Sequence, residues 1–228
     1  MRFKSGLIIG VFGLVVVILG DFYFAIGITG LTYFALLELF RMAEFTGIKP
    51  ATKTTLFSCF ILIISTYLEL KGIIGEEISN AILPISSIGI CTWLLLQPKP
   101  GKISDIATSI FGLFYLGFLP SYWIRLRELD SIFIGSNYQG NGFSDLGYIS
   151  GFNITLISCL IIVSSDIGSY IFGKIFGKKS LSPISPSKTV EGLIGGIFCS
   201  ISTGILFTYL FNWNNYLIIG IVFGIIIS

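Results

Sequence analysis

TLISCLIIVSSDIGSYIFGKIFGKKSLSPISPSKTVEG, residues 155–192, joins two apolar runs through a polar segment. The first run ends in a carboxylate, Asp166, and glycines and lysines follow it directly. A Ser-Pro-Ser-Lys-Thr sequence, residues 185–189, then opens the second run. Ionisable groups at membrane depth are costly and mark function by default. The stretch therefore predicts a functional segment held at a bilayer surface.

Similar apolar runs fill the rest of the chain. Of its 228 residues, 54% are hydrophobic and 11% are charged, whereas soluble domains carry about 25% charged residues. Several runs approach the roughly 20 residues that a transmembrane helix needs. The sequence predicts an all-α fold, a polytopic transmembrane bundle that forms a single integral membrane domain over 1–228. The predicted membrane segments are 6–20, 22–40, 54–70, 78–96, 106–124, 149–166, 190–211 and 215–228.

The two ends of the chain carry separate expectations. The segment 215–228 has no polar flank, and a helix that stops inside the bilayer leaves carbonyl groups unsatisfied. We therefore expect this segment to be incomplete and the chain to be a fragment of a longer protein. At the start, Arg2 and Lys4 precede the first run, but Gly20-Asp21 is a poor signal-peptidase site. The first run is predicted to be a retained span.

The lysines and arginines predict the orientation. If the N-terminus is cytoplasmic and each run crosses once, eleven of the 14 basic residues fall on the inner side and three on the outer side. This bias follows the positive-inside rule. The prediction is a protein of the cell (inner) membrane, with a catalytic segment at 167–189 in the cytoplasm, where nucleotides are.

Composition excludes several kinds of site. Histidine is absent, which removes His-based nucleophile and zinc chemistry. No basic patch is interleaved with aromatic residues, so no nucleic-acid partner is expected. The cysteines lie far apart in apolar runs, and neither a metal-ligand spacing nor a disulfide framework fits them: Cys59, Cys91, Cys159 and Cys199. Carboxylates, lysines and hydroxyls remain for catalysis.

Asp166 is the predicted metal ligand. It follows an apolar run and precedes Gly168 near the predicted inner interface. A carboxylate there can hold Mg²⁺, a hard cation that uses few protein oxygens and completes its shell with water and phosphate. The competing interpretation is a helix-packing hydrogen bond to Ser164, Ser165 or a neighbouring helix.

The glycines after Asp166 allow two interpretations. Gly173 and Gly177 form a weak small-xxx-small packing motif. With Lys174, Lys178 and Lys179 alongside, backbone amides and ammonium groups could instead cradle phosphate. The spacing leaves both interpretations open.

The residues before the second run are more specific. Serine and threonine there can cap the coming helix, whose N-terminus offers free amides and a positive dipole end to an anion. Ser187 and Glu191 also resemble a loose capping box. Capping does not explain Lys188, because a cation at a helix N-terminus opposes the dipole. A bound phosphate would reverse that penalty, so the local chemistry favours an anion site.

Polar residues elsewhere carry weaker signals. Glu38 is predicted either to snorkel from a helix end or to have a functional or inter-helix role. Pro120 is expected to end or kink its helix. The glycine-rich segment 128–148 is predicted to be an irregular outer loop.

Two sets of charges on the predicted outer side are given structural interpretations. Glu69, Lys71, Glu76 and Glu77 are predicted to form a solvated turn. The arginines that follow Pro120, Arg125 and Arg127, are interpreted as interfacial anchors.

At these residues the chain resembles the phosphatidate cytidylyltransferases, also called CDP-diacylglycerol synthases. In that family an Asp-x-Gly-Ala-Tyr segment is followed by Phe-Gly-Arg-x-x-Gly-Lys and by Ser-Pro-x-Lys-Thr-x-Glu-Gly-x-x-Gly-Gly. The order and spacing match over 166–196, and a looser similarity covers the rest. The matching residues are Asp166-Ile167-Gly168-Ser169-Tyr170, Phe172-Gly173-Lys174, Gly177-Lys178, Ser185-Pro186-Ser187-Lys188-Thr189-Val190-Glu191-Gly192 and Gly195-Gly196.

The resemblance implies a reaction of phospholipid biosynthesis. The phosphate of phosphatidic acid attacks the α-phosphorus of CTP, releases pyrophosphate and forms CDP-diacylglycerol. The implied catalytic residues are Asp166, which holds the cofactor Mg²⁺, and Lys188, which draws off negative charge. The implied substrate-binding residues are Ser185, Thr189, Lys178, Glu191 and Gly168. The implied partners are CTP, phosphatidic acid and the lipid bilayer, with a homodimer left open.

The resemblance also has a departure. The family's C-terminal signature, with Pro-Gly-His-Gly-Gly and Asp-Arg-x-Asp elements, does not occur within the 228 residues, and the absence of histidine agrees with this. In the family those carboxylates share the metal site. We therefore expect the fragment itself to be inactive or badly impaired.

Three other functions remain open on the sequence. A CTP-dependent lipid-alcohol kinase, of the polyprenol or phytol type, would transfer the γ-phosphoryl group to a hydroxyl instead. A membrane transporter could use Asp166 and Glu38 as an ion relay, but that leaves the Ser-Pro-Ser-Lys-Thr sequence unexplained. A catalytically dead scaffold would fail to bind Mg²⁺-CTP.

Overall fold

The computed structural model describes residues 10, 13–129, 150–182 and 185–228, with backbone only at Pro186 and Ser187. The predicted segment 6–20 lies partly outside the described residues, although 13–19 are helical. The predicted irregular loop 128–148 lies almost wholly outside them.

Helices make up nearly all of the described chain, so the predicted all-α bundle is confirmed. The β-structure found among the described residues is one short two-stranded hairpin. The elements in chain order are α1 (Asp21–Phe45), α2 (Thr52–Leu70), α3 (Glu76–Leu95), α4 (Ile103–Gly112), a π-helical segment (Leu113–Phe118), α5 (Leu119–Arg127), α6 (Gly151–Phe176), β1 (Ser180–Ser182), β2 (Ser185–Thr189), α7 (Val190–Leu210) and α8 (Tyr216–Ile227).

Six helices among the described residues are long and apolar enough to cross a bilayer. They are α1, α2, α3, the continuous helix Ile103–Arg127, α6 and α7. The predicted integral membrane protein is confirmed. The shorter apolar helix α8 has 12 residues. One boundary differs from expectation, because α6 continues ten residues beyond the predicted end of its segment at residue 166.

The chain divides into two compact units, Met1–Ser136 and Asn137–Ser228. The first unit contains α1 to α5 and the second contains α6 to α8 with the hairpin. The single membrane domain over 1–228 stays a prediction.

The core of the first unit joins α1, α2, α3 and the π-helical segment. Its buried side chains are Leu36, Phe40, Ala51, Cys59, Leu62, Ile90, Leu94 and Leu113. Small residues allow close approach around it: a Cβ on Gly117 would lie 2.5 Å from the sulfur of Cys59. Membrane helices associate through such close van der Waals packing.

The helix Ile103–Arg127 does not end at Pro120. In a regular α-helix the ring of Pro120 would clash with the carbonyl group of Leu116, four residues earlier. The π-helical segment directly precedes the proline, and the N–H of Leu119 bonds the carbonyl oxygen of Phe114, five residues back. This wider turn changes the backbone where the clash would occur, so the helix continues to Arg127.

A buried carboxylate joins two connections of the first unit. Asp105 is 6% exposed and its two oxygens accept the N–H groups of Lys49 and Lys102, each at 2.8 Å. One turn further along α4, Ser109 Oγ accepts the N–H of Ala51 at 2.9 Å. The connections on either side of α2 and α3 are thereby held together.

Glu69 and Arg125 correct two expectations from the sequence. Glu69 was predicted to be solvated and Arg125 to be an interfacial anchor, but they form a two-pronged ion pair. Nη1 and Nη2 of Arg125 lie 2.6 and 2.7 Å from the two carboxylate oxygens, and the Glu69 side chain is 6% exposed. Paired geometry of this kind is the strong form of the interaction.

Lys71 is also paired rather than merely solvated. Its ammonium lies 2.7 Å from Asp21 Oδ1, and the hydroxyl of Tyr67 donates to the same oxygen at 3.0 Å. The hydrogen bond to Asp21 raises the pKa of Lys71 above its usual value, because it favours the charged form. This group ties the start of α1 to the end of α2.

The second unit is built on contact between α6 and α7 through glycines. A Cβ on Gly168 would lie 2.6 Å from the sulfur of Cys199, and one on Gly192 would lie 2.8 Å from the carbonyl oxygen of Ser169. A Cβ on Gly195 would collide with the side chain of Phe172. The two helices therefore approach at a distance that side chains larger than hydrogen would prevent.

The helix α8 packs on α7 in the same way. A Cβ on Gly220 would lie 2.6 Å from the backbone nitrogen of Ile205. Ser200 Oγ donates a hydrogen bond to the carbonyl oxygen of Gly224 at 3.0 Å. A serine hydroxyl thus satisfies a carbonyl group between two apolar helices.

Candidate active site

A hairpin brings the end of α6 to the start of α7. Its strands β1 and β2 are antiparallel, with Ser180 opposite Thr189 and Ser182 opposite Ser185. The N–H of Val190 bonds the carbonyl oxygen of Lys179 at 3.0 Å. Residues that are nine and eleven apart in sequence therefore meet at the N-terminus of α7.

Thr189 is the N-cap of α7, as expected from its hydroxyl. Its Oγ1 accepts the N–H of Gly192 at 3.1 Å. This bond uses a lone pair and leaves the hydroxyl proton available to donate. The same oxygen lies 3.1 Å from where a Cβ on Gly173 would be, so α6 packs directly against the cap.

The capping arrangement predicted for Glu191 with Ser187 lies outside the described side chains, but other partners of Glu191 are observed. Its Oε2 accepts the backbone N–H groups of Lys178 and Lys179, at 3.2 and 3.4 Å. Glu191 therefore holds the turn that follows α6 against the first turn of α7. These observed partners lie 13 and 12 residues earlier in the chain.

Three lysines surround the start of α7. Lys178 and Lys179 are held there by Glu191, and Lys188 precedes the N-cap in β2. All three side chains are exposed. We call Lys178, Lys179 and Lys188 the lysine cluster. Together with the dipole of α7, it makes this end of the second unit suited to a polyanion.

Asp166 lies on α6 away from the lysine cluster. Next to it along the helix, Ser165 packs at Gly196 of α7, seven residues beyond Thr189. This separation is about two helical turns, or roughly 10 Å along the axis. Asp166 is exposed. Its carboxylate has no hydrogen bond or ion pair within the described part of the chain, and the competing packing interpretation is not what the structure shows.

A line of polar side chains on α6 extends from Asp166 toward the lysine cluster. Asp166, Tyr170 and Lys174 recur every four residues on α6, which puts them on one helix face. All three are exposed, and the Lys174 ammonium lies 5.8 Å from the centre of the Tyr170 ring. We call these three residues the polar track. The sequence had indicated Lys174 as one of the lysines that could cradle phosphate, but it had not indicated Tyr170, although the four-residue spacing was available.

The other predicted site residues lie in different surroundings. Gly168 is buried in the contact with α7 rather than open to a ligand. Gly173 and Gly177 both lie against Thr189, as the packing interpretation expected. Ser185 begins β2 and is partly exposed. The functional roles of these residues stay predictions.

No group of three or more Asp, Glu, Cys or His side chains that could hold a metal occurs in the described ranges. A preformed all-protein metal cage is therefore not found there. Mg²⁺ is commonly bound through one or two carboxylates together with water and substrate phosphates. Asp166, exposed and unpaired, fits such a minimal donor set.

The fold defines a polytopic membrane protein, and the lysine cluster at the start of α7 is a candidate site for a polyanion. The model of the cytidylyltransferase family matches residues 1–228. The chain belongs to the cytidylyltransferase family.

Relatives that carry names agree with this assignment. The chain is 38% identical over 219 residues to a phosphatidate cytidylyltransferase of Synechocystis sp., covering 92% of this chain and 73% of that protein. It is 28% identical to the chloroplastic phosphatidate cytidylyltransferase 5 of Arabidopsis thaliana, covering 99% and 58%. It is 28% identical to a phosphatidate cytidylyltransferase of Bacillus subtilis, covering 90% and 70%. The resemblance seen in the sequence is confirmed.

The chain spans less than two thirds of the length of the Arabidopsis relative. No solved structure matches the chain.

Proposed function

We propose that the protein is a phosphatidate cytidylyltransferase, which joins CTP and phosphatidic acid to form CDP-diacylglycerol and pyrophosphate. The observation that carries this proposal is the pairing of the lysine cluster with an unpaired carboxylate two turns away. A single phosphate is too small to reach both places. A nucleoside triphosphate beside a lipid phosphate is extended enough to do so.

The lysines neutralise charge during the transfer. In the reaction a phosphatidate oxygen forms a bond to the α-phosphorus of CTP, and the bond from that phosphorus to the pyrophosphate oxygen breaks. Charge neutralisation and alignment dominate catalysis of such a transfer. Lys188 and Lys178 stabilise the negative charge that moves to pyrophosphate, in line with their exposed positions at the start of α7.

The hydroxyls orient the polyphosphate. The hydroxyl of Thr189 donates a hydrogen bond to a phosphate oxygen. Its oxygen continues to accept the hydrogen bond from the N–H of Gly192. Ser185, which lies at the other end of β2, supplies a second hydroxyl donor. The positive end of the α7 dipole adds to the attraction for the anion.

Glu191 has a positioning role in this proposal rather than contact with substrate. A carboxylate beside a triphosphate would repel it. Its bonds to the backbone of Lys178 and Lys179 instead hold those lysines at the helix start. Gly168 likewise acts through the close contact of α6 with α7.

Asp166 would hold Mg²⁺, for which its exposed and unpaired carboxylate is suited. The ion, when bound, neutralises phosphoryl oxygens as a Lewis acid. Tyr170 and Lys174 lie along the same face of α6 and provide polar contacts between Asp166 and the lysine cluster.

The proposed location is the inner membrane, with the N-terminus and 167–189 in the cytoplasm. The distribution of basic residues supports this orientation. A site on that side gives access to soluble CTP and to lipid headgroups. A homodimer stays a prediction.

The test uses the protein expressed from its complete coding region, purified in detergent and mixed with phosphatidic acid, Mg²⁺ and CTP labelled at the α-phosphorus. The expected result is label in the lipid fraction and release of pyrophosphate. Label left in soluble CDP, with an added polyprenol phosphorylated, would instead assign a lipid-alcohol kinase. Absence of any lipid labelling with intact, monodisperse protein would overturn the proposal.

A further inference from the structure

A groove in the first unit is separate from the residues of the proposed reaction. It has a volume of about 470 Å³ and runs between the last turns of α1 and the second half of α4. Its lining is apolar except for two threonine side chains, and Phe111 and Met42 are at least half exposed in it. The lining residues are Leu39, Met42, Ala43, Thr46, Ala107, Thr108 and Phe111. The groove can receive a hydrocarbon chain.

Asp105 places two lysines at one end of this groove. Its opposite oxygens hold the backbone N–H groups of Lys49 and Lys102, so the two residues are neighbours although they belong to different connections. Lys49 lies three residues beyond Thr46, and Lys102 lies five residues before Ala107. Both lysine side chains are exposed.

The charges around this end are unbalanced. The segments 38–53 and 99–102 contain five basic residues and two acidic ones, Glu38 and Glu44. Asp105 is buried and engaged by backbone N–H groups. Within the described residues neither Lys49 nor Lys102 has an ion-pair partner. The end of the groove therefore favours an anion.

We propose that this groove binds an anionic phospholipid of the surrounding bilayer, with the headgroup phosphate between Lys49 and Lys102 and one acyl chain along the groove. A shallow apolar groove that ends near two lysines matches the two parts of such a lipid. Basic pockets between membrane helices bind anionic headgroups in this way. The site lies in the first unit and does not depend on the proposed reaction.

The test places a fluorophore in the groove. The variant Phe111→Trp is reconstituted in vesicles that contain either phosphatidylglycerol or phosphatidylethanolamine with brominated acyl chains. Fluorescence of the parent protein under the same conditions is subtracted. The brominated phosphatidylglycerol is expected to quench the added indole at a lower mole fraction than the brominated phosphatidylethanolamine.

The matched control distinguishes binding at a specific site from the general attraction of an anionic lipid to a basic surface. Lys49→Ala with Lys102→Ala should lower the preference for phosphatidylglycerol by about thirtyfold, because two lysines that each contribute on the order of 1 kcal/mol to headgroup binding are lost. Lys53→Ala with Lys99→Ala removes the same charge at the same end and should leave most of the preference intact.

Three outcomes would overturn the proposal. These are equal loss in both double variants, equal quenching by the two lipids in the unsubstituted background, and a preference for brominated phosphatidate that phosphatidylglycerol does not share. The last result would assign the groove to the substrate. A second measurement uses Ala107→Phe in the Phe111→Trp background. Quenching by either lipid should fall, because the added ring occupies the groove.

Discussion

The side chain of Glu191 holds the backbone of Lys178: Oε2 accepts the N–H at 3.2 Å across 13 residues of sequence. A second bond, from the N–H of Lys179, reaches the same oxygen at 3.4 Å. A carboxylate in the first turn of α7 thus fixes where two of the three lysines of the lysine cluster lie. The relationship makes Glu191 a residue whose effect on the reaction is indirect.

Glu191→Ala should raise KM for CTP about tenfold, since a charge-assisted bond to each N–H is lost and the lysines are no longer held. Glu191→Gln keeps an oxygen that can accept both N–H groups and should restore most of the affinity. The measurement is initial rate against CTP concentration for the purified protein. Glu77→Ala is the matched control, because Glu77 occupies the same second position of α3. Equal defects in the Gln and Ala variants would show that the charge itself contacts substrate or metal.

Asp166→Asn should lower lipid cytidylylation by a factor of about 100 or more, because a neutral amide is a much weaker Mg²⁺ ligand than a carboxylate. The Mg²⁺ concentration that gives half-maximal rate should also rise. Glu38→Gln provides the control, since Glu38 is likewise exposed and in an apolar helix. A normal rate and normal Mg²⁺ dependence in Asp166→Asn would rule out the assigned role.

Gly192→Ala should destabilise the protein by about 1–3 kcal/mol, because its Cβ would lie against backbone atoms that cannot move aside freely. The Cβ position is 2.8 Å from the carbonyl oxygen of Ser169 and 3.2 Å from Cα of Gly173. Gly30→Ala is the control, as a Cβ there meets nothing within 4 Å. Thermal unfolding in detergent should show a lower midpoint for Gly192→Ala and an unchanged or higher one for Gly30→Ala.

Glu69→Gln should lower stability by roughly 1–3 kcal/mol, because it leaves the guanidinium of Arg125 without its carboxylate in a partly buried place. The loss stays small because Arg125 is 26% exposed and solvent partly screens its charge. The thermal midpoint in detergent reports the effect. Glu76→Gln changes an exposed carboxylate on the same unit and should leave that midpoint within error. A matching drop in both variants would contradict a special contribution from the pair.

The membrane fold was predictable because composition alone restricts a chain with so few charges to apolar helices. The position at which α6 ends was harder to predict from the sequence. Residues 167–176 contain glycines and a lysine that are typical of a surface segment, but the contact of Gly168 and Gly173 with α7 keeps them helical. Tertiary packing of this kind is not visible in local propensity.

The candidate site was predictable in part for a similar reason. Thr189 as a cap follows from local chemistry, and the structure has it there. The hairpin depends on the ends of α6 and α7 being adjacent, so the bonds of Glu191 to residues 12 and 13 positions earlier had no local signal. The pair of Glu69 and Arg125, 56 residues apart, was missed because each residue alone is typical of a membrane surface.

The π-helical segment before Pro120 inserts one extra residue into a single turn of the long helix. Every side chain beyond it is consequently rotated by about 100° relative to an uninterrupted α-helix. Arg125 contacts Glu69 from the side of the helix that this rotation gives it. Deleting one residue between 113 and 118 would restore a regular α-helix and turn the guanidinium of Arg125 to another side of the helix. The length of this short segment therefore sets the direction in which the side chains after it point.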